Sequence, residues 1–302
     1  MKKKLTRFSS WMVLSTILMV NACKKQDLQS PANNNTKQET VIDLNAEHGK
    51  GVIPATAEQI AAMKKSAYSS TTQRAPLPAS ARLVSPPVSS QGSQGSCVGW
   101  ATATARGISY YYANANNSWS YSRNIMSAAF IYNQIKDQDE DCSVGTYVSD
   151  ALNLLRNSGV CVYNNMPYDK YDCTTWPGRT ATNDAATKRI NEWFYISPDN
   201  VNTIKDRLSR RMPVIIVIHT DENFDNGGYR AQDNNGTVYH VWDTNNTAHT
   251  GSHCICVIGY DDSRHAFLIQ NSWGTGWGDS GKLWIDYDMF NGNDVSEAYE
   301  FD

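Results

Sequence analysis

Three short segments carry side chains that could perform nucleophilic catalysis. The first ends in Cys97, the second places His253 before an apolar run that ends at Tyr260, and the third begins with Asn271. A cysteine is an efficient nucleophile only as its thiolate, and a neighbouring imidazole can take its proton. An amide side chain can accept the other ring N–H of that imidazole and fix its tautomer. The order thiol, imidazole, amide therefore predicts a nucleophilic centre that attacks carbonyl groups.

The residues around Cys97 predict how its thiol is activated. Ser96 can cap a helix that runs from Cys97 to about Ala113, and the unpaired amides at a helix start favour a negative sulfur. Gln91 lies six residues before the cysteine and can aim its side-chain N–H at a developing oxyanion, together with the Cys97 backbone N–H.

These motifs resemble those of the papain-like cysteine peptidases. In that family a glutamine and five further residues precede the cysteine, with Gly-Ser directly before it, as in Gln91 to Cys97. The family's histidine opens an apolar strand that ends in Gly-Tyr, as from His253 to Tyr260. Its asparagine stands in Asn-Ser-Trp-Gly-x-x-Trp-Gly, as from Asn271 to Gly278. The resemblance covers about residues 77–302.

The resemblance implies an α+β fold, with an N-terminal helical lobe, a C-terminal antiparallel barrel-like lobe and the active-site cleft between them. It implies hydrolysis of protein or peptide substrates through a covalent acyl-enzyme, without a cofactor or a metal. Trp273 would shield the contact between Asn271 and His253 from water. Gly145, Thr146 and Ser252 would bind the substrate.

The sequence departs from the family pattern in two places. The common segment Cys-Gly-Ser/Ala-Cys-Trp/Tyr reads Gln94-Gly95-Ser96-Cys97-Val98, so a disulfide cysteine is replaced by Gln94. After Cys142 only one glycine of an expected pair is present, Gly145. Because that segment would hydrogen-bond the substrate backbone, this departure bears on substrate preference and not on the catalytic residues.

Two alternative functions stay open, and a metal site is disfavoured. A catalytically silent surface protein could use the cleft to bind peptides, and an acyl-transferring enzyme could use the same residues with an amine in place of water. His249, His253, Cys254 and Cys256 resemble a metal site, but strand alternation places His253 on the opposite face from the two cysteines. His219, His240 and His265 show no partners in the sequence.

The N-terminus has the pattern of an export signal. Lys2, Lys3, Lys4 and Arg7 precede an apolar stretch too short to cross a bilayer. Ala22-Cys23 resembles a bacterial lipobox, so we expect cleavage after residue 22 and lipidation of Cys23. Removal of residues 1–22 changes the net charge from −3 to −7. The prediction is a lipid-anchored, monomeric envelope protein, facing the periplasm or the cell surface, with no affinity for nucleic acid.

The composition predicts three regions: a signal peptide (1–22), a lipidated linker (23–76) and a folded domain (77–302). Within the polar linker, Thr56 and Gln59 predict a short capped helix. We favour a lone helix in a linker, with a short propeptide that covers the site as the alternative.

Helices are predicted at 97–113, 122–136 and 146–158, with Gly159 as a left-handed cap. Strands are predicted at 214–218, 253–260, 266–271, 281–286 and 297–302. Pairing is open among the remaining cysteines, which are Cys142, Cys161, Cys173, Cys254 and Cys256.

Overall fold

A computed structural model describes residues 48–66, 76–115, 117–137, 141–233, 235–244 and 248–302. The predictions for the signal peptide and for Cys23 lie outside these residues. No helix in the described ranges is both long and apolar enough to span a bilayer.

Helices dominate the first half of the described chain, and strands dominate the second half. The α-helices are α1 (Ala57–Ala62), α2 (Cys97–Ala113), α3 (Ala128–Ile135), α4 (Val148–Asn157), α5 (Arg179–Ala185), α6 (Val201–Ser209) and α7 (Glu222–Asp225). The strands are β1 (Ser80–Arg82), β2 (Trp193–Ile196), β3 (Val214–Thr220), β4 (Tyr229–Gln232), β5 (Val238–Trp242), β6 (Gly251–Asp261), β7 (Ala266–Gln270), β8 (Lys282–Asp286) and β9 (Val295–Phe301). Short 3₁₀ helices lie at Tyr163–Asn165 and Tyr287–Met289.

The described strands form one sheet in the order β2-β9-β3-β6-β7-β8-β5-β4, with β1 paired to β6. All pairings between these strands are antiparallel except that between β5 and β8. Strand β3 has a continuous apolar run because it lies between β6 and β9 and is buried along Val214–Ile218. This arrangement of helices and sheet is the predicted α+β class.

The three predicted helices are present, and two of them begin later than predicted. Helix α2 has the predicted bounds, but Ser96 makes no capping bond with its side chain, because its hydroxyl pairs with the Tyr168 hydroxyl at 2.7 Å. Helix α3 begins at Ala128 instead of about residue 122, because Ser127 caps it and the Asn124 side chain holds a turn at Ser120.

Helix α4 begins at Val148 instead of Thr146. The backbone N–H and C=O of Thr146 are both engaged by residues 51 and 53 of the chain, so this residue cannot enter the helix. The helix ends as predicted, since Gly159 has a positive φ of 82°. A Cβ at that position would lie 1.9 Å from the Ala185 carbonyl oxygen, so the turn requires glycine.

All five predicted strands are present as β3, β6, β7, β8 and β9, with ends that shift by a few residues. Helices α5, α6 and α7 and strands β1, β2, β4 and β5 were not predicted. Helix α6 had a local signal, since the Asn200 side chain accepts the Thr203 N–H as an N-cap. Strands β2, β4 and β5 are short, and their positions depend on pairing with distant strands.

Candidate active site

Cys97 is the first residue of α2, and it has no solvent exposure. Its Sγ accepts a hydrogen bond from the backbone N–H of Gly51, with an N···S distance of 3.3 Å. The backbone N–H of Cys254, the residue after His253, lies close enough to this sulfur to lower the pKa of the thiol. The thiol therefore lies near the strand that carries the predicted base.

His253 and Asn271 are joined by a hydrogen bond of 2.8 Å between Nε2 and Oδ1. The same Asn271 oxygen accepts the Ser272 backbone N–H at 2.7 Å, which identifies it as an acceptor. Nε2 is therefore the ring nitrogen that carries the proton in the neutral imidazole. Nδ1 is buried and has no hydrogen-bond partner among the described residues, so it is free to receive a proton.

Trp273 covers this pair. Its ring stacks on the His253 ring with a centroid distance of 4.4 Å and an interplanar angle of 30°. His253 is fully buried, and Asn271 is almost fully buried. The shielding role predicted for Trp273 requires this placement, because a hydrogen bond is electrostatically stronger where water is excluded.

Gln91 lies beside the cysteine loop, and its side chain is held at both ends. Its Nε2 donates to the carbonyl oxygens of Gly49 at 3.1 Å and Gln94 at 2.7 Å. Its Oε1 accepts the Ser272 hydroxyl at 2.6 Å. The sequence does not predict this contact of Ser272, although the residue lies within the motif that begins at Asn271.

A segment of residues 48–53, the N-terminal strap, lies across this site. The Gly49 carbonyl accepts from Gln91 Nε2 and from Trp273 Nε1, the latter at 3.2 Å. The His48 ring stacks on the outer face of Trp273 at 4.8 Å. With Gly51 against the sulfur, the strap contacts Cys97, Gln91 and Trp273.

The strap fits this closely because it contains two glycines. A Cβ on Gly49 would lie 2.1 Å from the Gln94 carbonyl oxygen, and a Cβ on Gly51 would lie 2.0 Å from the Gly95 carbonyl oxygen. Neither distance is compatible with a side chain unless the backbone moves. Gly49-Lys50-Gly51 is therefore matched to the surface next to Cys97.

The favoured interpretation of residues 24–76 as a plain linker is corrected for residues 48–66. Helix α1 forms with the predicted capping box between Thr56 and Gln59. It is not isolated, because Ile60 and Met63 pack against the core. The Ala55 N–H donates to the Glu297 carboxylate at 2.6 Å. The alternative, a segment that covers the site, agrees with these contacts.

The three residues predicted to bind substrate have different environments. Thr146 donates its backbone N–H to the Gly51 carbonyl at 2.7 Å and accepts the Ile53 N–H at 3.0 Å. Gly145 lies beside it, since a Cβ there would be 3.0 Å from the Gly51 carbonyl oxygen. The Ser252 hydroxyl instead bonds to His219 Nδ1 at 3.0 Å.

Burial keeps both candidate catalytic groups uncharged in this closed arrangement. Desolvation raises the pKa of the Cys97 thiol to about 11, although the neighbouring backbone N–H groups, Gly51 among them, oppose the shift. Desolvation lowers the pKa of His253 to about 3, and the positive charges of Lys50 and His48 lower it further, while the bond to Asn271 opposes this. The strap therefore disfavours a thiolate–imidazolium pair.

The remaining cysteines separate into one disulfide and three buried thiols. Cys142 forms a disulfide with Cys173, and the two residues are separated by 31 positions in the sequence. Gln94, which stands where the family has a disulfide cysteine, cannot form such a bond. Cys161, Cys254 and Cys256 are free and buried.

The other histidines all have partners. His219 stacks on His249 at 5.2 Å, His240 Nδ1 bonds to the Gly227 carbonyl at 2.9 Å, and His265 contacts Asp286. Within the described ranges, the group of three ligating side chains with metal-like spacing is His265, Asp286 and Asp288, which does not include His253.

Comparisons with known proteins identify a family for this chain. Residues 78–298 match the model of the papain family cysteine proteases. An uncharacterized peptidase C1-like protein of Acanthamoeba polyphaga mimivirus is 25% identical over 208 residues, which are 65% of this chain and 63% of that protein. The gamete and mating-type specific protein A of Dictyostelium discoideum is 25% identical over 202 residues, 66% of this chain and 40% of that protein. The chain therefore spans less than two thirds of these relatives' own lengths.

The fold has solved counterparts as well. Xylellain, a cysteine protease from Xylella fastidiosa, superimposes with a TM-score of 0.69 at 22% identity, over 84% of this chain and 96% of that one. At this identity the superposition establishes the papain-like two-lobe fold. Since the family model covers most of the chain, the protein belongs to the papain family of cysteine proteases.

Proposed function

We propose that this protein hydrolyses peptide bonds of protein or peptide substrates, with Cys97 as the nucleophile, His253 as the acid and base, and Asn271 as the residue that orients His253. The observation that carries the proposal is the His253 ring. Its Nε2–H is fixed on Asn271 Oδ1 at 2.8 Å, and its Nδ1 is left without a partner among the described residues.

In the proposed reaction, His253 Nδ1 takes the Cys97 proton and the sulfur attacks the scissile carbonyl carbon. The C–N bond then breaks, and the imidazolium gives its proton to the leaving amine. A water molecule, deprotonated by the same nitrogen, attacks the thioester and releases the acid and the free thiol. The proposed reaction uses no cofactor.

Gln91 is the proposed oxyanion donor, together with the Cys97 backbone N–H. Its Nε2 already donates to a carbonyl oxygen, that of Gly49, so the strap carbonyl stands in for the oxygen of a substrate. The bond from Ser272 to Gln91 Oε1 aims this donor before substrate arrives.

We further propose that the arrangement with the strap in place is a latent form. A substrate must bring a carbonyl carbon to the sulfur, whereas the strap brings the Gly51 nitrogen there. The bound segment is therefore not positioned for cleavage. Activity would require the strap to leave the cleft, by displacement or by proteolysis.

The test combines labelling with turnover. The full chain is treated with a thiol-directed epoxide and with fluorogenic peptides under reducing conditions, beside Cys97→Ala. Labelling at Cys97 and cleavage that disappears in Cys97→Ala are the expected results. Failure to label and to cleave even after the strap is opened by mutation would refute the proposal and favour a silent peptide-binding protein.

Export and lipid attachment at Cys23 remain proposals that rest on the N-terminal sequence. Mass spectrometry of the mature N-terminus tests them, since it should begin with a diacylated Cys23 and lose the lipid in Cys23→Ala. A mature protein that begins elsewhere would contradict them.

A further inference from the structure

The strap carries one basic side chain into the cleft, and that side chain has a built receptor. Lys50 Nζ lies 2.7 Å from Asp225 Oδ2 and 2.8 Å from Thr250 Oγ1. Both members of the ion pair are largely buried, with 16% and 29% of their side chains exposed. An ion pair in such a position is less screened by solvent than one on the open surface.

The second oxygen of the Asp225 carboxylate is unused. Asp225 Oδ1 is buried and makes no hydrogen bond with any described residue. An ammonium group such as that of Lys50 engages this carboxylate through one oxygen. A guanidinium group presents a planar fork that can bind both oxygens of a carboxylate at once. The receptor therefore has one more hydrogen-bond acceptor than the ammonium group of Lys50 uses.

The receptor lies on the imidazole side of the cleft. Phe224, which precedes Asp225, packs against Trp273 and His253, with ring-centroid distances of 5.7 Å and 6.3 Å. The backbone carbonyl of Asp225 accepts the Trp277 Nε1–H at 3.1 Å, which fixes it to the same wall. In the proposed reaction His253 protonates the leaving amine, so this wall borders the leaving portion of a substrate.

We propose that Asp225 makes the cleft selective for a basic side chain, arginine above lysine, in the first residue of the leaving portion of the substrate. The inference depends on the proposed function and specifies the substrate class for that same site. Lys50 is adjacent to Gly51, whose nitrogen faces the sulfur, and this places the receptor one residue from the reacting atoms. Thr250 supplies a second acceptor for the bound cation.

The test uses peptides that differ only in this residue, which is arginine, lysine, glutamine or glutamate. They compete for the full chain that carries Gly51→Ala, a change that opens the strap. The ratio of kcat/KM values from competition does not depend on how much enzyme is open. This matters because Asp225→Asn also removes the partner of Lys50 and would raise the open fraction.

We expect the order arginine, lysine, glutamine, glutamate, and a fall of about tenfold in the arginine-to-glutamine ratio when Asp225→Asn is added. Asp199→Asn is the matched control, because Asp199 is an exposed carboxylate whose side chain bonds to Ser197. It should leave the ratio unchanged.

A ratio that Asp225→Asn does not change, or a preference for glutamate, would overturn the inference while the peptidase itself stands. Absence of any Cys97-dependent cleavage is a different result, and it would overturn the proposed function and this inference together.

Discussion

The substitution Gly51→Ala should convert the latent form into one whose cysteine reacts quickly. Glycine is required at this position because a Cβ would meet the Gly95 carbonyl oxygen at 2.0 Å and the Gly95 Cα at 2.4 Å. These are backbone atoms of the loop that leads into α2, so no side-chain rotation relieves the overlap. The strap must shift or leave.

The magnitude follows from the cost of overpacking. Forcing an extra methyl group into a packed site costs about 1–3 kcal/mol, which raises the open population about 5- to 150-fold. The epoxide reaches Cys97 only when the strap is away, since the residue is fully buried otherwise. If opening and closing are fast relative to labelling, the labelling rate rises by the same factor.

The assay is the rate of Cys97 modification, followed by mass spectrometry at several epoxide concentrations. Gly178→Ala is the matched control, because a Cβ there meets nothing within 4 Å and the labelling rate should not change. Lys50→Ala adds no volume and removes the bonds to Asp225 and Thr250, so it should accelerate labelling by a smaller factor. Equal rates in wild type and both strap variants, with all proteins folded, would refute the idea that the strap limits access.

Three further outcomes are expected. Gln91→Ala should lower kcat about 10²- to 10³-fold with little change in KM, measured by steady-state kinetics on strap-opened enzyme; an unchanged kcat would exclude Gln91 as an oxyanion donor. Cys142→Ser with Cys173→Ser should lower the free energy of unfolding by about 3–4 kcal/mol in denaturant titrations, because the disulfide closes a loop with a separation of 31 residues; an equal stability would show that it constrains nothing. The pKa of His253 is lowered to about 3 in the folded protein, so below about pH 6.5 the unfolded chain binds a proton at this histidine and the folded chain does not. The free energy of unfolding should therefore fall by up to about 1.4 kcal/mol per pH unit between pH 6.5 and 3. His253→Gln should remove the contribution of His253 and make the fall in stability between pH 7 and 5 less steep, and parallel curves for wild type and variant would contradict the assignment.

The candidate active-site residues could be named from the sequence because each is part of a local motif. The order of Cys97, His253 and Asn271 along the chain, and the amide six residues before the cysteine, required no knowledge of distant contacts. Trp273 was placed through the same motif. What the sequence did not reveal is the support around them, such as the bond from Ser272 to Gln91, because a serine hydroxyl has many candidate partners until the fold selects one.

The strap was underestimated for a physical reason. Residues 48–53 have no periodicity and few large apolar groups, so their sequence is typical of a linker. Their affinity for the cleft comes from backbone hydrogen bonds, to Thr146, Gln91 and Gly92, and from the absence of side chains at Gly49 and Gly51. Backbone complementarity of this kind leaves little signal in a single sequence.

The same engagement explains an error in a helix boundary. Thr146 was expected to begin α4, but its N–H and C=O bond to residues 51 and 53 in a parallel bridge with Val52. A helix start and a strap contact compete for the same backbone groups, and the strap contact is made. Thr146 therefore lies before the helix, and its substrate-binding role stays a prediction.

The strap acts on the site by charge as well as by volume. Lys50 and His48 bring positive charge towards His253 and oppose its protonation, and the burial of Cys97 opposes formation of the thiolate. Departure of the strap would remove both effects together, because the cation leaves and water reaches the sulfur. We therefore expect the pKa of Cys97 to fall and that of His253 to rise on opening, so that the reactive ion pair is favoured in the state that can also admit a substrate.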